Sequence, residues 1–123
     1  MTTAEIEAEE KTVTNVWQTV CESTDLVANL GVRALINGEQ IALFRVQNTL
    51  YAINAFDPFS KAAVLSRGIV GDLKGQIVVA SPIFKQHFSL ATGQCLEDDS
   101  VRVKTYKVRE QNNYVQVYVE HAQ

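Results

Sequence analysis

The two cysteines, Cys21 and Cys95, are the first side chains to consider for nucleophilic chemistry. A thiol nucleophile needs an imidazole within hydrogen-bond reach, so Cys95 would have to approach His87 or His121. His87 and Cys95 flank one predicted hairpin, which leaves that approach open, whereas His121 lies three residues from the C-terminal end. A buried cysteine beside a surface histidine is the commoner arrangement, so we expect reduced, ordinary thiols.

Acidic side chains offer metal binding and acid–base catalysis. Glu97, Asp98 and Asp99 are adjacent, but the spacing of a calcium loop is missing, which favours a solvated acidic loop. Neither Asp57 nor Asp72 has an evident carboxylate partner, and an Asp-Pro pair such as 57–58 is typical of a turn. The sequence also has no glycine-rich phosphate loop, since GDLKG at 71–75 is a turn between strands. These residues therefore predict no catalytic centre.

Composition limits the classes of partner. The chain has 123 residues, 46% of them hydrophobic, which suits one domain with a real core. Its net charge is −3 with scattered basic residues, which argues against nucleic-acid binding, and no apolar run approaches the length of a membrane span. The acidic start MTTAEIEAEEKT is the opposite of a secretory signal, so we expect a cytoplasmic protein. We expect a flexible acidic arm over 1–13 and a single domain over 14–120.

The elements that must position any site are predicted to be short strands. Apolar residues alternate with polar ones in VWQTVC, in VRALINGEQIALFRV with its Asn37-Gly38 turn, and in LYAIN. The alternation stops after residue 54 and resumes at Gln76 with GQIVVAS. Further hairpins are expected to turn at Thr92-Gly93 and at 111–113. The pattern predicts an all-β, mostly antiparallel sandwich or barrel.

Two segments that could form loops resemble those of a known family. Residues 57–70 read DPFSKAAVLSRGIV and residues 81–96 read SPIFKQHFSLATGQCL. Both are similar to the loops of Rieske [2Fe–2S] domains, each of which supplies one cysteine and one histidine to the cluster. The residues that match the family's framework are Pro58, Pro82, Phe88 and Gly93. The resemblance covers roughly residues 16–120 and implies a Rieske-like small β-sandwich or barrel.

Other residues stand at the four ligand positions of that family. Asp57 and Phe59 occupy the cysteine and histidine positions of the first loop, and Ser81 and Phe84 occupy those of the second. Asp and Ser do not replace soft thiolates, and a phenyl ring has no lone pair to offer iron. His87 follows Phe84 by three residues and lies outside the family pattern. We therefore predict a Rieske-like chain with two degenerate loops, no metal ligands and no cluster.

The same substitutions predict what holds the two loops together. Exchanging two imidazoles for two phenyl rings converts a metal-linked loop pair into an apolar one. We expect the rings of Phe59 and Phe84 to pack against each other, with about 1.5–3 kcal/mol contributed by each buried ring.

Longer segments resemble a narrower family, the small subunits of bacterial assimilatory NAD(P)H-dependent nitrite reductase. The similar segments are DPFSKAAVLSRGIVGD, VVASPIFKQHFSL and TGQCLEDDSVRVKTYKVR. The resemblance implies a non-catalytic chain that docks on and supports a large catalytic subunit in nitrate assimilation. That large subunit would carry FAD, an iron–sulfur cluster and sirohaem and reduce nitrite to ammonium. No cofactor and no catalytic residue would lie on this chain.

The loops carry the expected contact with that partner. We predict that Lys61, Arg67, Lys85 and His87 belong to the interface, although each could simply be solvated. Two other functions stay open. One is a free-standing Rieske-like binding or regulatory module without a cluster. The other is an electron-carrying Rieske ferredoxin, against which the missing ligands argue strongly.

Overall fold

The regular structure of the described chain consists almost entirely of short strands. The computed structural model describes residues 14–121, and the predicted arm over 1–13 lies outside them. Within the described part, helical structure is limited to two single 3₁₀ turns, Ser23–Asp25 and Leu65–Arg67. Among the described residues, no helix is long and apolar enough to cross a membrane. The strands are β1 (Thr14–Glu22), β2 (Val32–Ile36), β3 (Glu39–Val46), β4 (Thr49–Asn54), β5 (Phe56–Asp57), β6 (Ala62–Ala63), β7 (Ile69–Leu73), β8 (Gln76–Ala80), β9 (His87–Ser89), β10 (Thr105–Tyr106), β11 (Val108–Gln111) and β12 (Tyr114–His121).

These strands pair antiparallel in three main sheets and one two-stranded ribbon. The main sheets have the orders β1-β12-β11, β10-β4-β3-β2 and β7-β8-β9, and the ribbon pairs β5 with β6. The sheets do not close into a barrel. The predicted all-β, mostly antiparallel class is confirmed.

Strand β3 is the wall that two hydrophobic cores share. Its residues Ile41 to Phe44 are all fully buried, which requires protein on both faces of the strand. Ile41 and Leu43 face the β1-β12-β11 sheet and pack with Val115 and Val117. Ala42 and Phe44 face the other way, in the core that holds residues from β8 and β9. This second core lies directly beneath the two loops.

Turn residues with positive φ set the strand registers. Asn37 and Gly38 have φ of 51° and 80° and join β2 to β3, and Asn112 and Asn113, at 55° and 71°, join β11 to β12. Two successive positive φ angles are the signature of the type I′ turn, whose twist matches that of the flanking strands. The hairpins predicted at these two turns are confirmed.

The segment after residue 54 contains more regular structure than the sequence predicts. Strand β7 pairs with β8 along its length, from Ile69 with Ala80 to Leu73 with Gln76. Its sequence IVGDL is short, contains glycine and aspartate, and has no buried residue. A strand at the edge of a sheet, exposed on most of its surface, leaves no alternation to recognise.

Candidate functional site

The two loops meet at the two positions where the Rieske resemblance expects cysteines. Asp57 ends β5, and Ser81 follows β8 directly. Both side chains are fully buried, and Ser81 Oγ donates a hydrogen bond of 2.6 Å to Asp57 Oδ2. A direct bond between the side chains therefore links the loops at this point. We call this pair the clasp.

Local hydrogen bonds complete the surroundings of the Asp57 carboxylate. The backbone N–H of Phe59 donates to Oδ1 at 2.9 Å, and the hydroxyl of Ser60 donates to Oδ2 at 2.9 Å. The backbone N–H of Lys61 donates to the Asp57 carbonyl at 2.7 Å, which closes the turn around Pro58. The bond from the Phe59 N–H to the Asp57 side chain is a common turn feature, because a short polar side chain often bonds to the backbone two residues further on. The buried carboxylate is thus satisfied by hydroxyl and amide donors.

The predicted packing of Phe59 against Phe84 is wrong. The Phe59 ring is half-buried and packs on Phe88 of β9, with centroids 6.2 Å apart and planes at 45°, against the core beneath the loops. Phe84 is 57% exposed. The clasp brings the loop backbones together, but the first ring turns inward and the second turns outward. Hydrogen bonding at Asp57, rather than contact between the rings, therefore links the loops.

The second loop is a closed turn that presents its apolar residues outward. The Lys85 N–H donates to the Ser81 carbonyl at 3.1 Å, and the Ser81 N–H donates to the Gln86 carbonyl at 2.9 Å. The Ile83 N–H donates to Ser81 Oγ at 3.3 Å, and Lys85 takes a φ of 68°. The same hydroxyl therefore ties the turn to itself and to the first loop.

The predicted interface cations lie around this turn, but they differ in availability. Lys61, Arg67 and Lys85 are exposed, and no ion pair between residues 14 and 121 involves them. His87 is partly buried at the start of β9, and its Nδ1 lies 2.6 Å from Glu97 Oε2. The Glu97 carboxylate also accepts the His87 backbone N–H at 2.8 Å. The histidine is thus held within its own chain.

Glu97 contacts both groups that a thiol nucleophile would need. Cys95 is fully buried, and its Sγ lies 3.7 Å from Glu97 Oε1. Burial raises the pKa of the Cys95 thiol, which disfavours the reactive thiolate. Cys21 lies on β1, and burial raises the pKa of that thiol as well. The expectation of unreactive thiols agrees with this geometry.

Two residues of the acidic segment 97–99 accept hydrogen bonds within the chain. Asp98 accepts hydrogen bonds from the backbone and hydroxyl of Ser100, and Glu97 bonds to His87. The amide nitrogen of Gln94 lies 3.0–3.3 Å from the carbonyl oxygens of Cys95, Asp98, Asp99 and Val101. A side-chain amide therefore occupies the centre of this loop. The residues that the structure describes contain no group of three or more metal-ligating side chains.

The chemistry of the clasp decides whether a [2Fe–2S] cluster fits between the loops. A cluster of the Rieske type needs two thiolates and two imidazoles. Here the two thiolate positions hold a carboxylate and a hydroxyl that bond to each other, and the phenyl ring of Phe59 packs against the core. Cys95 and His87 are engaged with Glu97. The donor set of these loops does not fit the cluster.

Sequence reasoning identified Asp57 and Ser81 but missed that they pair. It missed Ser60, and it assigned Glu97 to a solvated acidic loop, whereas Glu97 bonds to His87. A signal for the pair was present, because two residues that replace ligands of one cluster must lie close together. An aspartate and a serine at such positions have complementary acceptor and donor groups. Nothing in the local sequence distinguishes Glu97 from the two acidic residues that follow it.

The chain is similar to nitrite reductase small subunits and matches a wider domain family. The profile of the Rieske-like [2Fe-2S] domain family matches residues 16–118. The nitrite reductase (NADH) small subunit of Salmonella typhimurium is 43% identical over 103 residues, which make up 82% of this chain and 95% of that protein. The solution structure of the nitrite reductase NAD(P)H small subunit from Erwinia carotovora is 44% identical with a TM-score of 0.73, covering 87% of this chain and 84% of that one.

A longer protein contains a similar segment. The nitrite reductase NAD(P)H large subunit of Klebsiella oxytoca is 36% identical over 101 residues. Those residues cover 82% of this chain but only 11% of the Klebsiella protein. A segment of this kind therefore also occurs as a minor part of a chain named as a large subunit.

Proposed function

The chain belongs to the Rieske-like domain family and, within it, to the nitrite reductase small subunits, and on this premise we propose that it is a non-catalytic subunit acting in the cytoplasm. It docks on and supports the large catalytic subunit that reduces nitrite to ammonium in nitrate assimilation. The near full-length match to a small subunit is the observation that carries this proposal. The Klebsiella protein supports it, because joining such a segment to a large subunit gives the two a permanent association.

The chain's contribution is binding rather than electron transfer. Reduction of nitrite to ammonium consumes six electrons, and the loops of this chain carry no donor set for an iron–sulfur cluster. The electrons therefore pass through the FAD, iron–sulfur cluster and sirohaem of the large subunit. A rigid β domain without a redox group acts on such a partner through the surface that it covers or orders.

The docking surface proposed for this role is formed by residues 57–68 and 81–86, which we call the loop end of the domain. Lys61, Arg67 and Lys85 are exposed there without an intrachain ion pair among residues 14–121. Charges of this kind steer a partner of opposite charge and fix its orientation. His87 is part of the proposed surface too, but its ring is already bonded to Glu97.

Copurification tests the proposal directly. The tagged chain is isolated from its native host grown on nitrate, and the absorbance spectrum of the eluate is recorded. We expect a large partner with flavin and sirohaem bands. We also expect that deletion of this chain lowers NAD(P)H-dependent nitrite reduction in extracts, and that adding it back restores the rate.

A colourless eluate that contains the small chain alone would contradict the proposal. The free-standing Rieske-like binding or regulatory module would then be the better description of the protein. A brown eluate of the small chain alone, with stoichiometric iron, would instead revive the electron carrier.

A further inference from the structure

Exposed apolar side chains concentrate where the two loops meet. Phe56, Ile69, Ile83 and Phe84 are 46%, 69%, 48% and 57% exposed. Phe56 precedes Asp57 in the chain, and Ile69 pairs with Ala80, the residue before Ser81. These four make up half of the large hydrophobic side chains that are exposed in the described part of the molecule. Clustered exposed apolar residues on a soluble domain mark an interaction site.

Ile83 and Phe84 are the best placed of this group to enter a partner. They lie within the turn that the Lys85 and Ser81 backbone bonds close. The Ser81 hydroxyl bonds both to the Ile83 N–H and to the buried Asp57 carboxylate. The turn is therefore held in shape before binding. Binding by a preorganised aromatic side chain loses less conformational entropy than binding by a mobile one.

The charge around this turn indicates the partner's chemistry. Residues 57–68 and 81–86 carry three cations, Lys61, Arg67 and Lys85, and one acidic residue, Asp57, whose carboxylate is buried in the clasp. The chain as a whole has a net charge of −3. The loop end is thus basic and apolar on an otherwise acidic molecule. The complementary surface has an apolar pocket and an acidic rim.

We propose that Ile83 and Phe84 form the anchor of the small subunit, inserting into an apolar pocket on the large nitrite reductase subunit whose acidic rim faces Lys61, Arg67 and Lys85. This inference rests on the proposed function and adds the residues and the chemistry of the contact. Phe84, at a ligand position of the Rieske pattern, thereby supplies binding energy to a partner. The clasp holds it in position.

The test is a binding titration of the purified large subunit, with its cofactors, by the full small chain and its variants. We expect F84S to raise the Kd by about 10- to 100-fold, the usual effect of losing a central aromatic contact. I83S should have a smaller effect of the same sign. The matched control is L35S on β2, because Leu35 is 72% exposed and lies outside both loops, and its Kd should stay within about 2-fold of wild type.

Charge reversal probes the rim independently. K61E and K85E should each raise the Kd and reduce its dependence on salt, because each replaces a cation that faces the acidic rim of the large subunit. Phe84 and the lysines are exposed, so the variants should unfold at the same denaturant concentration as wild type, which separates a binding defect from a folding defect.

The outcomes distinguish the two proposals. If wild type binds the large subunit and F84S binds equally well, the anchor is refuted while the subunit function stands. If wild type does not bind, both fail. If the isolated chain is a dimer that F84S converts to a monomer without changing the affinity for the large subunit, the apolar turn serves self-association and the anchor is again refuted.

Discussion

At the scale of single residues, Asp57 and Ser81 convert a metal-binding arrangement into a hydrogen-bonded one. A buried carboxylate is costly unless donors surround it, and Ser60, Ser81 and the Phe59 N–H supply them. Ser60 belongs to the same loop as Asp57 and Ser81 to the other loop, so only the Ser81 hydroxyl links the two loops. This difference allows the link between loops to be measured separately from the needs of the carboxylate.

Replacing Ser81 by alanine should weaken the fold and loosen the second loop. Removing a donor from a buried acceptor costs about 1–3 kcal/mol, so S81A should lower the free energy of unfolding in a denaturant titration by that amount. The control is S60A, which removes a hydroxyl from the same carboxylate oxygen within one loop. Amide hydrogen exchange at Lys85 should accelerate in S81A but not in S60A. Equal acceleration in both variants would show that the clasp does not hold the second loop.

The thiols should be slow to react while the protein is folded. Cys95 is fully buried, and burial raises the pKa of both thiols. A thiol-reactive dye at neutral pH should label Cys95 only after denaturant is added, because thiolate and access are both required. Cys21 is partly exposed and should label first. Rapid labelling of Cys95 in the native protein would contradict the burial described above.

At the scale of elements, close backbone packing joins the loop region to the β10-β4-β3-β2 sheet. A Cβ placed on Gly31 would lie 2.1 Å from the Ser66 carbonyl oxygen and 2.8 Å from a ring carbon of Phe44. Ser66 belongs to the 3₁₀ turn of the first loop, and Phe44 to β3. Only glycine lets these elements approach so closely.

The glycines provide a matched pair of substitutions for this packing. G31A should lower the free energy of unfolding by about 1–3 kcal/mol, since an added methyl group must displace backbone. G71A on β7 meets no atom within 4 Å, so it should be neutral or slightly stabilising in the same denaturant titration. Similar destabilisation of both variants would mean that the close approach at Gly31 does not set the cost.

Some turns and strands were predictable from the sequence, and others were not. Asn37-Gly38 and Asn112-Asn113 mark hairpins because a local backbone requirement selects their residue types, and those predictions are confirmed. In β12, Val115 and Val117 lie on one face of the strand, and both are fully buried. Strand β7 carries no such signal, since pairing with β8 rather than burial defines it.

The site was predictable in position but not in its contacts. The resemblance located Asp57, Phe59, Ser81 and Phe84, yet it did not specify which way each side chain turns. Phe59 packs on Phe88, a residue 29 positions away, while Phe84 lies on the outside of a turn. Such choices depend on long-range packing, which local sequence does not encode.

At the scale of the whole molecule, carboxylates tie separate elements together. A hydrogen bond from Tyr106 on β10 lowers the pKa of Glu39 on β3, and a hydrogen bond from Arg45 on β3 lowers that of Glu110 on β11. For Glu97, burial acts to raise the pKa, but the bonds from His87 outweigh burial and leave it lowered. Each carboxylate stabilises the fold in its ionised form.

Acid should therefore destabilise the molecule in a defined range. The ordinary pKa of these groups is 4.5, so their contribution is present above that pH and is lost as the pH falls through the lower folded-state value. We expect the free energy of unfolding, measured by denaturant titration, to fall as the pH is lowered below 4.5. E110Q should make this dependence shallower. A free energy that stays constant over that range would contradict the lowered pKa values.

The clasp marks a Rieske-like domain whose loops, in the proposed function, bind a partner instead of a cluster. The most direct test is the iron and acid-labile sulfide content of the chain purified without oxygen, together with its EPR spectrum after reduction. The clasp predicts no iron, no sulfide and no EPR signal. Two irons and two sulfides per chain, with a signal from a reduced [2Fe–2S] cluster, would contradict it.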